Sequence, residues 1–293
     1  MVRGRATIRG LARRGLVALV GALGVLIAFR LLFIYTFRLG CHLTAATATP
    51  SSEPDFAPRK LTVLTYNIAG HRALLHPDHL EQVAALIAAH RPDVVALQEV
   101  HRGTWQSRFG DEAEEIARRT GMTVFFGPSY RALGGEFGNA VLTRGRIVGA
   151  EVIALPSIGE PRSLVRSTVE IDGTAFDFIT THLVAWGALG GHVRALQVRC
   201  LREQIRVSAH PLVFCGDLNA IPGSPEIVEL LGGDLVKLAG VATEPTFPSL
   251  RRRYDYVLAD PGWRVVEAKV LHEGPSDHWP VLVSLARPPV AGL

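Results

Sequence analysis

Cysteine is scarce in this chain, with three in 293 residues. Three cysteines do not make a disulfide framework, and no C-x-x-C pair is present to suggest a structural zinc site. Cys41 is expected beside a membrane, while Cys200 on a helix and Cys215 on a strand are expected as small buried hydrophobes. There is no internal repeat. Excess positive charge is also missing where a grip on nucleic acid would need it. The chain carries a formal net charge of +4, yet residues 60–293 hold 23 Lys and Arg against 25 Asp and Glu. Duplex binding relies on several phosphate-neutralising cations, so a mildly acidic domain without a long insertion matches it poorly. The surplus sits in residues 1–58, which hold seven arginines against Glu53 and Asp55; Arg59 completes the total.

Those arginines flank an apolar segment. Gly15–Phe29 is uninterrupted, and Leu31–Phe37 continues it past Arg30, for 23 positions in all. That length suits one transmembrane helix, with Arg30 near the outer end where snorkelling is tolerable. The arginine bias puts residues 1–14 in the cytoplasm and the rest of the chain outside. A cleaved export signal is the rival, because Ala46-Thr47-Ala48 is an A-x-A site. The expected organisation is a basic cytoplasmic tail (1–14), a transmembrane or signal segment (15–37), an Ala/Thr/Ser/Pro-rich linker (38–58), one large domain (59–287) and a short tail (288–293). The expected location is a membrane crossed once, with the domain extracytoplasmic, or a secreted form after cleavage.

From Leu61 the pattern alternates short apolar runs with amphipathic stretches. Strands are predicted at 61–66, 94–97, 123–126, 140–143, 147–154, 164–171, 176–180, 212–215, 256–259, 264–271 and 280–285. Helices are predicted at 78–90, 111–120, 191–207 and 225–230. In the third helix Val193, Leu196, Cys200 and Val207 share a face. Many strands with few helices suggest two sheets face to face with helices outside.

Five of the apolar runs end in polar islands: T-Y-N-I (65–68), L-Q-E-V (97–100), T-H-L (181–183), G-D-L-N (216–219) and S-D-H (276–278). Strand ends of this kind can pool carboxylates, carboxamides and imidazoles at one edge of a sheet. Carboxylates suit a hard divalent cation, and histidines suit proton handling. Each island has a bland alternative. Glu99 could cap a turn, Asn67 could form an Asx turn, and a lone His182 could be structural.

The order and wording of the islands resemble the endonuclease/exonuclease/phosphatase superfamily, from about Lys60 to Leu285. Phe137-Gly138-Asn139-Ala140-Val141-Leu142, Pro161-Arg162, Thr246-Phe247-Pro248 and Tyr254-Asp255-Tyr256-Val257 add to the resemblance. It implies a four-layered α/β/β/α sandwich (DNase I-like) and metal-dependent hydrolysis of phosphate esters. It implies Glu99 as principal ligand of Mg²⁺ or Mn²⁺, with Asn67 and Asp277 as further metal contacts. Asp217 would activate the attacking water and Asn219 would hold it. His278 would stabilise the phosphoryl charge, with Asp255 on its other ring nitrogen. His182 would donate to the leaving or a non-bridging oxygen. Asn139 and Arg253, the latter within the Arg251–Arg253 run, are candidate substrate contacts. Trp186 and the glycines of 187–191 could form a rim. The remaining histidines (71, 76, 79, 90, 101, 192, 210, 272) read as surface residues.

The superfamily cleaves nucleic acids, sphingomyelin and phosphoinositides with nearly the same site, so the substrate stays open between phospholipid and nucleic acid. Ala69 stands where the abasic-site endonuclease branch has an acidic residue, and that branch lacks T-H-L. Both departures, and the export segment, argue against DNA repair. A phosphomonoesterase on phosphoinositide-like substrates and a silent binding module of the same fold are the alternatives. A monomer is expected.

Overall fold

The computed structural model describes residues 36–38, 40–46, 60–132, 134–185, 190–240 and 243–287. The expected membrane or signal segment lies almost wholly outside these residues, as do both tails and positions 186–189 of the expected rim. Among the described residues no helix is long and apolar enough to cross a membrane.

In chain order the elements are β1 (Thr36–Arg38), β2 (His42–Ala46), β3 (Lys60–Asn67), α1 (His79–His90), β4 (Val94–Arg102), α2 (Glu112–Thr120), β5 (Thr123–Ala132), β6 (Gly135–Thr143), β7 (Arg146–Ala154), β8 (Ser157–Gly159), β9 (Ser163–Ile171), β10 (Thr174–His182), α3 (Gly190–Arg206), β11 (Leu212–Asp217), α4 (Pro225–Leu231), β12 (Lys237–Leu238), β13 (Asp255–Ala259), β14 (Arg264–Val270) and β15 (Val281–Ala286). One sheet has the order β14-β15-β3-β4-β6-β5 and the other β12-β13-β11-β10-β9-β7-β2. β1 pairs with β8 alone.

Side-chain alternation builds the layers. Along β3, Leu61 and Val63 join Val165, Phe178, Val213 and Val257 in a core between the sheets. Leu64 and Tyr66, on the opposite face, pack with Val83 and Ile87 of α1 and Ile116 of α2. On the second sheet Ile179, Phe214 and Leu258 pack outward against Val198 and Leu201 of α3 and Ile227 of α4. The result is helix, sheet, sheet, helix, as the sequence pattern implied. Each fully buried Val, Leu or Phe contributes about 1.5–3 kcal/mol, and three such clusters make a rigid platform. Local signals set the helix ends. Asp111 accepts from the Glu114 N–H at 3.1 Å at the start of α2, and Gly121 closes it at φ 67°.

The structure departs from the sequence reading in three places. Residues 42–46 are not linker. They form an edge strand against β7, exposed along its length, so no hydrophobic alternation announced it. Cys41 and Cys200 are not separate; they form a disulfide across 159 positions, with Cα atoms 6.1 Å apart. Val207 lies just past the end of α3 and is 60 % exposed, and the buried face of the helix runs through Val193, Gln197, Cys200, Leu201 and Ile205. Gln197 can be buried because its amide accepts from the Val184 N–H at 3.1 Å and donates to the Pro156 carbonyl at 2.8 Å.

Candidate active site

Two parallel strand pairs end side by side. β3 and β4 bring Asn67 level with Gln98, and β10 and β11 bring His182 level with Asp217. The sheets face each other, so these ends meet. The Asn67 amide donates to Glu99 Oε1 at 3.0 Å and to Asp217 Oδ2 at 3.0 Å, linking a carboxylate on each sheet. One layer deeper, Gln98 donates across the interface to Thr180 Oγ1 at 3.0 Å. A cavity of about 340 Å³ opens above, lined by Glu99, Arg162, His182, Asp217, Asn219 and His278 among others.

Glu99 reaches this cavity through a defect in its strand. Plain alternation would send it to the helix side with Val95 and Leu97. The register of β4 on β6 instead jumps between Leu97 and Val100, and Glu99 has φ 58°. This is a bulge, which re-aims one side chain and restores alternation afterwards, so Val100 returns to the helix-side core. Gly70 is needed beneath it: a Cβ there would lie 2.5 Å from the Glu99 carbonyl oxygen. Burial opposes a charge on Glu99. The nearby His71 imidazole, the hydrogen bond from Asn67 and the charge of Arg162 outweigh that and hold the carboxyl well below its usual range.

Asp217 is buried at the end of β11. Burial first, and then the charge of Asp255, raise its pKa above the usual carboxylate range, against the pull of His278. Two imidazoles aim at it: His182 Nε2 lies 3.6 Å and His278 Nε2 3.7 Å from Asp217 Oδ2. Their other nitrogens are held differently. His278 Nδ1 meets Asp255 Oδ2 at 2.8 Å. Burial works against the imidazolium, but Asp255 and Asp217 prevail and push His278 up to about 10. His182 Nδ1 meets Arg162 NH1 at 3.1 Å. A guanidinium can only donate, so Nδ1 must accept and the proton of a neutral His182 must sit on Nε2. Burial and the Arg162 charge hold His182 well below the ordinary histidine range. The pair is therefore one imidazolium and one neutral N–H donor facing the same carboxylate.

The remaining expected residues sort as follows. Asp277 lines the cavity, is 39 % exposed, and lies 3.8 Å from Arg72 NH2. Asn219 also lines it, but not by strand parity. β11 stops at Asp217, and Asn219 (φ 48°) is placed by an Asx turn in which its N–H donates to Asp217 Oδ1 at 2.9 Å. Asn67 forms an Asx turn as well. Its Oδ1 accepts from the Ala69 N–H at 3.1 Å, so it presents its NH₂ to the carboxylates rather than an oxygen to a metal. Asn139 sits behind the Glu99 bulge and donates to the Ser163 carbonyl at 3.1 Å. Arg253 is not on the cavity wall. It is buried with its guanidinium 4.8 Å above the Tyr256 ring, while Arg251 and Arg252 stay exposed.

Several residues of the site were not legible in the sequence. His71 and His101 line the cavity, and His71 Nδ1 lies 3.8 Å from Glu99 Oε2. His79 is buried with Nε2 2.8 Å from the Ile68 carbonyl, and His210 pairs with Asp177 at 3.1 Å. His71 lies between β3 and α1, His79 opens α1, His101 is on the polar end of β4 and His210 precedes β11, and no apolar run marks any of them as inward, which is why a surface reading was natural. Arg162 had a signal, the Pro-Arg pair before β9, but nothing local pointed to His182. Tyr130, Phe137, Phe247 and Tyr254 add an aromatic lining.

The donor set fits a hard divalent cation. Asp217, Asp255 and His278 present ligand atoms within 4.8 Å of one another, although Asp255 and His278 already bond each other. Glu99 and Asp277 are freer, each with its nearest cationic partner at 3.8 Å. Mg²⁺ and Mn²⁺ are bound through one or two carboxylates with water completing the shell.

A family model described as "Endonuclease/Exonuclease/phosphatase family" matches residues 64–278. The mouse protein tyrosyl-DNA phosphodiesterase 2 is 26% identical over 179 residues, covering 60% of this chain and 45% of its own. The chain thus spans about half the length of the curated relatives it matches. Among solved structures, an endonuclease/exonuclease/phosphatase from Beutenbergia cavernae superposes with a TM-score of 0.65 at 28% identity, covering 78% of this chain and 72% of that one. A mannosyl-6-phosphatase from Bacteroides thetaiotaomicron gives a TM-score of 0.64 at 18% identity, over 77% of this chain and 99% of that one, a likeness of fold alone.

Proposed function

The chain belongs to the endonuclease/exonuclease/phosphatase family, and from that premise we propose that it is a metal-dependent phosphodiesterase, anchored in a membrane and working outside the cytoplasm. The family's chemistry is phosphoester hydrolysis, and the mouse relative is named a phosphodiesterase. The observation that carries the reading is the convergence on Asp217 of His182, His278 and the Asn67 amide that also holds Glu99.

Glu99 and Asp277 would hold the Mg²⁺ or Mn²⁺, which when bound supplies charge to a phosphoryl oxygen. Asp217, with its raised pKa, accepts a proton from the attacking water near neutral pH. Asn219 stands beside it to hold that water. The His278 imidazolium, kept charged by Asp255, donates to a phosphoryl oxygen as negative charge develops there. His182, neutral and protonated on Nε2, gives a hydrogen bond to the departing ester oxygen and keeps its own proton, and that oxygen takes its proton from water.

Export is supported by the Cys41–Cys200 bond, since such bonds persist in oxidising compartments. An anchor is favoured over a cleaved signal because removal of residues 1–48 before folding would take away β1, β2 and Cys41, all of which pair with the domain.

The test is Glu99→Gln, assayed on bis(p-nitrophenyl) phosphate and p-nitrophenyl phosphate while Mg²⁺ is titrated. A rate loss of at least about 10²-fold with an unchanged unfolding curve is expected. Near-wild-type turnover at low Mg²⁺ would overturn the assignment, and faster cleavage of the monoester by the wild type would overturn the diester reading.

A further inference from the structure

We propose that the rim of the catalytic cavity is a bilayer-docking surface, so that the diester presented to the site comes from the lipid headgroup layer. The proposal rests on the phosphodiesterase reading above and adds the class of substrate. Its first support is where the chain enters the domain. The apolar stretch of 23 positions ends at Phe37. Thr36–Arg38 pair with Gly159–Ser157, and the next residues along, Glu160 and Arg162, are cavity wall. A segment lodged in a membrane therefore delivers the chain to the mouth of the site, not to the far end of the sheets.

The second support is what the rim exposes. Trp105 and Phe109 are 47 % and 74 % exposed, on the loop whose Gln106 lines the cavity. Leu75 is 78 % exposed in the neighbouring loop, which Arg108 ties to this one through the Leu74 carbonyl at 2.8 Å. Leu250 is 48 % exposed three positions after cavity-lining Phe247. Arg108 and Phe109 are held at φ 53° and 64°, an unfavourable conformation for large side chains, at the tip where Phe109 is exposed. Isolated exposed aliphatics elsewhere, such as Val207, need no account.

The third support is charge. Arg108, Arg251 and Arg252 are exposed on these same loops although the domain as a whole is slightly acidic. Aromatic and aliphatic tips set among arginines suit the interface of an anionic bilayer, where the rings enter the headgroup boundary and the cations meet lipid phosphate. A dissolved nucleic acid would use the cations and could stack a base on Trp105 or Phe109, but it would leave the aliphatic tips Leu75 and Leu250 in water.

The test uses the full chain in proteoliposomes of phosphatidylcholine and phosphatidylglycerol with Mg²⁺. Phe109→Cys and Val207→Cys are each labelled with a fluorophore; Val207 lies beside Asp177, at the opposite end of β10 from His182. Spin-labelled lipid is expected to quench the Phe109 probe and not the Val207 probe, and no quenching at Phe109 would overturn the docking. The paired substitution Trp105→Ser, Phe109→Ser is expected to cut release of lipid headgroups about tenfold or more. Cleavage of soluble bis(p-nitrophenyl) phosphate should stay unchanged, and an equal loss on that substrate would sink the proposal. Wild-type cleavage of soluble diesters or oligonucleotides with none of lipid would overturn this inference and leave the phosphodiesterase reading standing. No cleavage of any diester would overturn both. A mature N-terminus near Thr49 would remove the tether and the proposal with it.

Discussion

His278 and His182 aim the same ring nitrogen at the same carboxylate and differ in what holds the other nitrogen. Asp255 makes one a cation; Arg162 makes the other a neutral donor. This difference orders the expected mutants. His278→Ala should lower kcat far more than it raises KM, by about 10²–10³, because it removes a donor used mainly in the transition state. Asp255→Asn should be milder, since the ring remains and only its charge and orientation suffer. Adding Asp255→Asn to His278→Ala should cost little further, because the two act as a unit. The measurement is a double-mutant cycle on one diester at saturating Mg²⁺. Fully additive losses would show that the 2.8 Å contact does not couple them in catalysis.

At the scale of elements, the Glu99 bulge is braced by the start of α2. Glu112 lies almost fully buried under the end of β4, where its Oε2 accepts from the His101 N–H at 2.8 Å. A carboxylate near a helix N-terminus would ordinarily be favoured as an anion. Here burial dominates, with Asp111 adding to it against the His101 bond, and Glu112 is pushed up to about 8. Its folded pKa lies above its unfolded value of 4.5, so the protonated form is the stabilising one. The contribution is fully present below about pH 4.5 and is lost as pH rises through 8, on the order of a few kcal/mol. Urea unfolding from pH 5 to 9 should show that decline, and Glu112→Gln should flatten it. A decline of equal steepness in the variant would place its origin elsewhere.

Over the whole molecule, the Cys41–Cys200 bond clips the N-terminal edge strand region to α3. A crosslink spanning so long a stretch typically stabilises by about 2–4 kcal/mol. Cys215 is buried and free. Protein taken from an oxidising compartment and denatured without reductant should therefore titrate one thiol. Three thiols would remove the bond, and with it one support for export.

The sequence alone was enough for the family, the two facing sheets and the strand ends whose polar residues meet. The family rests on a resemblance in the wording of the polar islands; the layers rest on local information: short apolar runs alternating with amphipathic helices, and polar residues closing the runs, as with Asn67, His182, Asp217 and His278. The strand ends ran further than predicted because their tips, Gln98 to Arg102 and Thr181-His182, are mostly polar and break the apolar pattern; Glu99, His101 and His182 among them line the cavity. Tertiary structure decided what depends on partners distant in the chain. Glu99 points inward because β6 forces a bulge on β4. Arg162 has its role because His182, twenty positions later, is folded back beside it. Arg253 is withdrawn from the cavity by the Tyr256 ring, and Cys41 finds Cys200 across 159 positions. Periodicity records which face a residue takes along its own strand or helix, and it carries no information about what the opposing element places there.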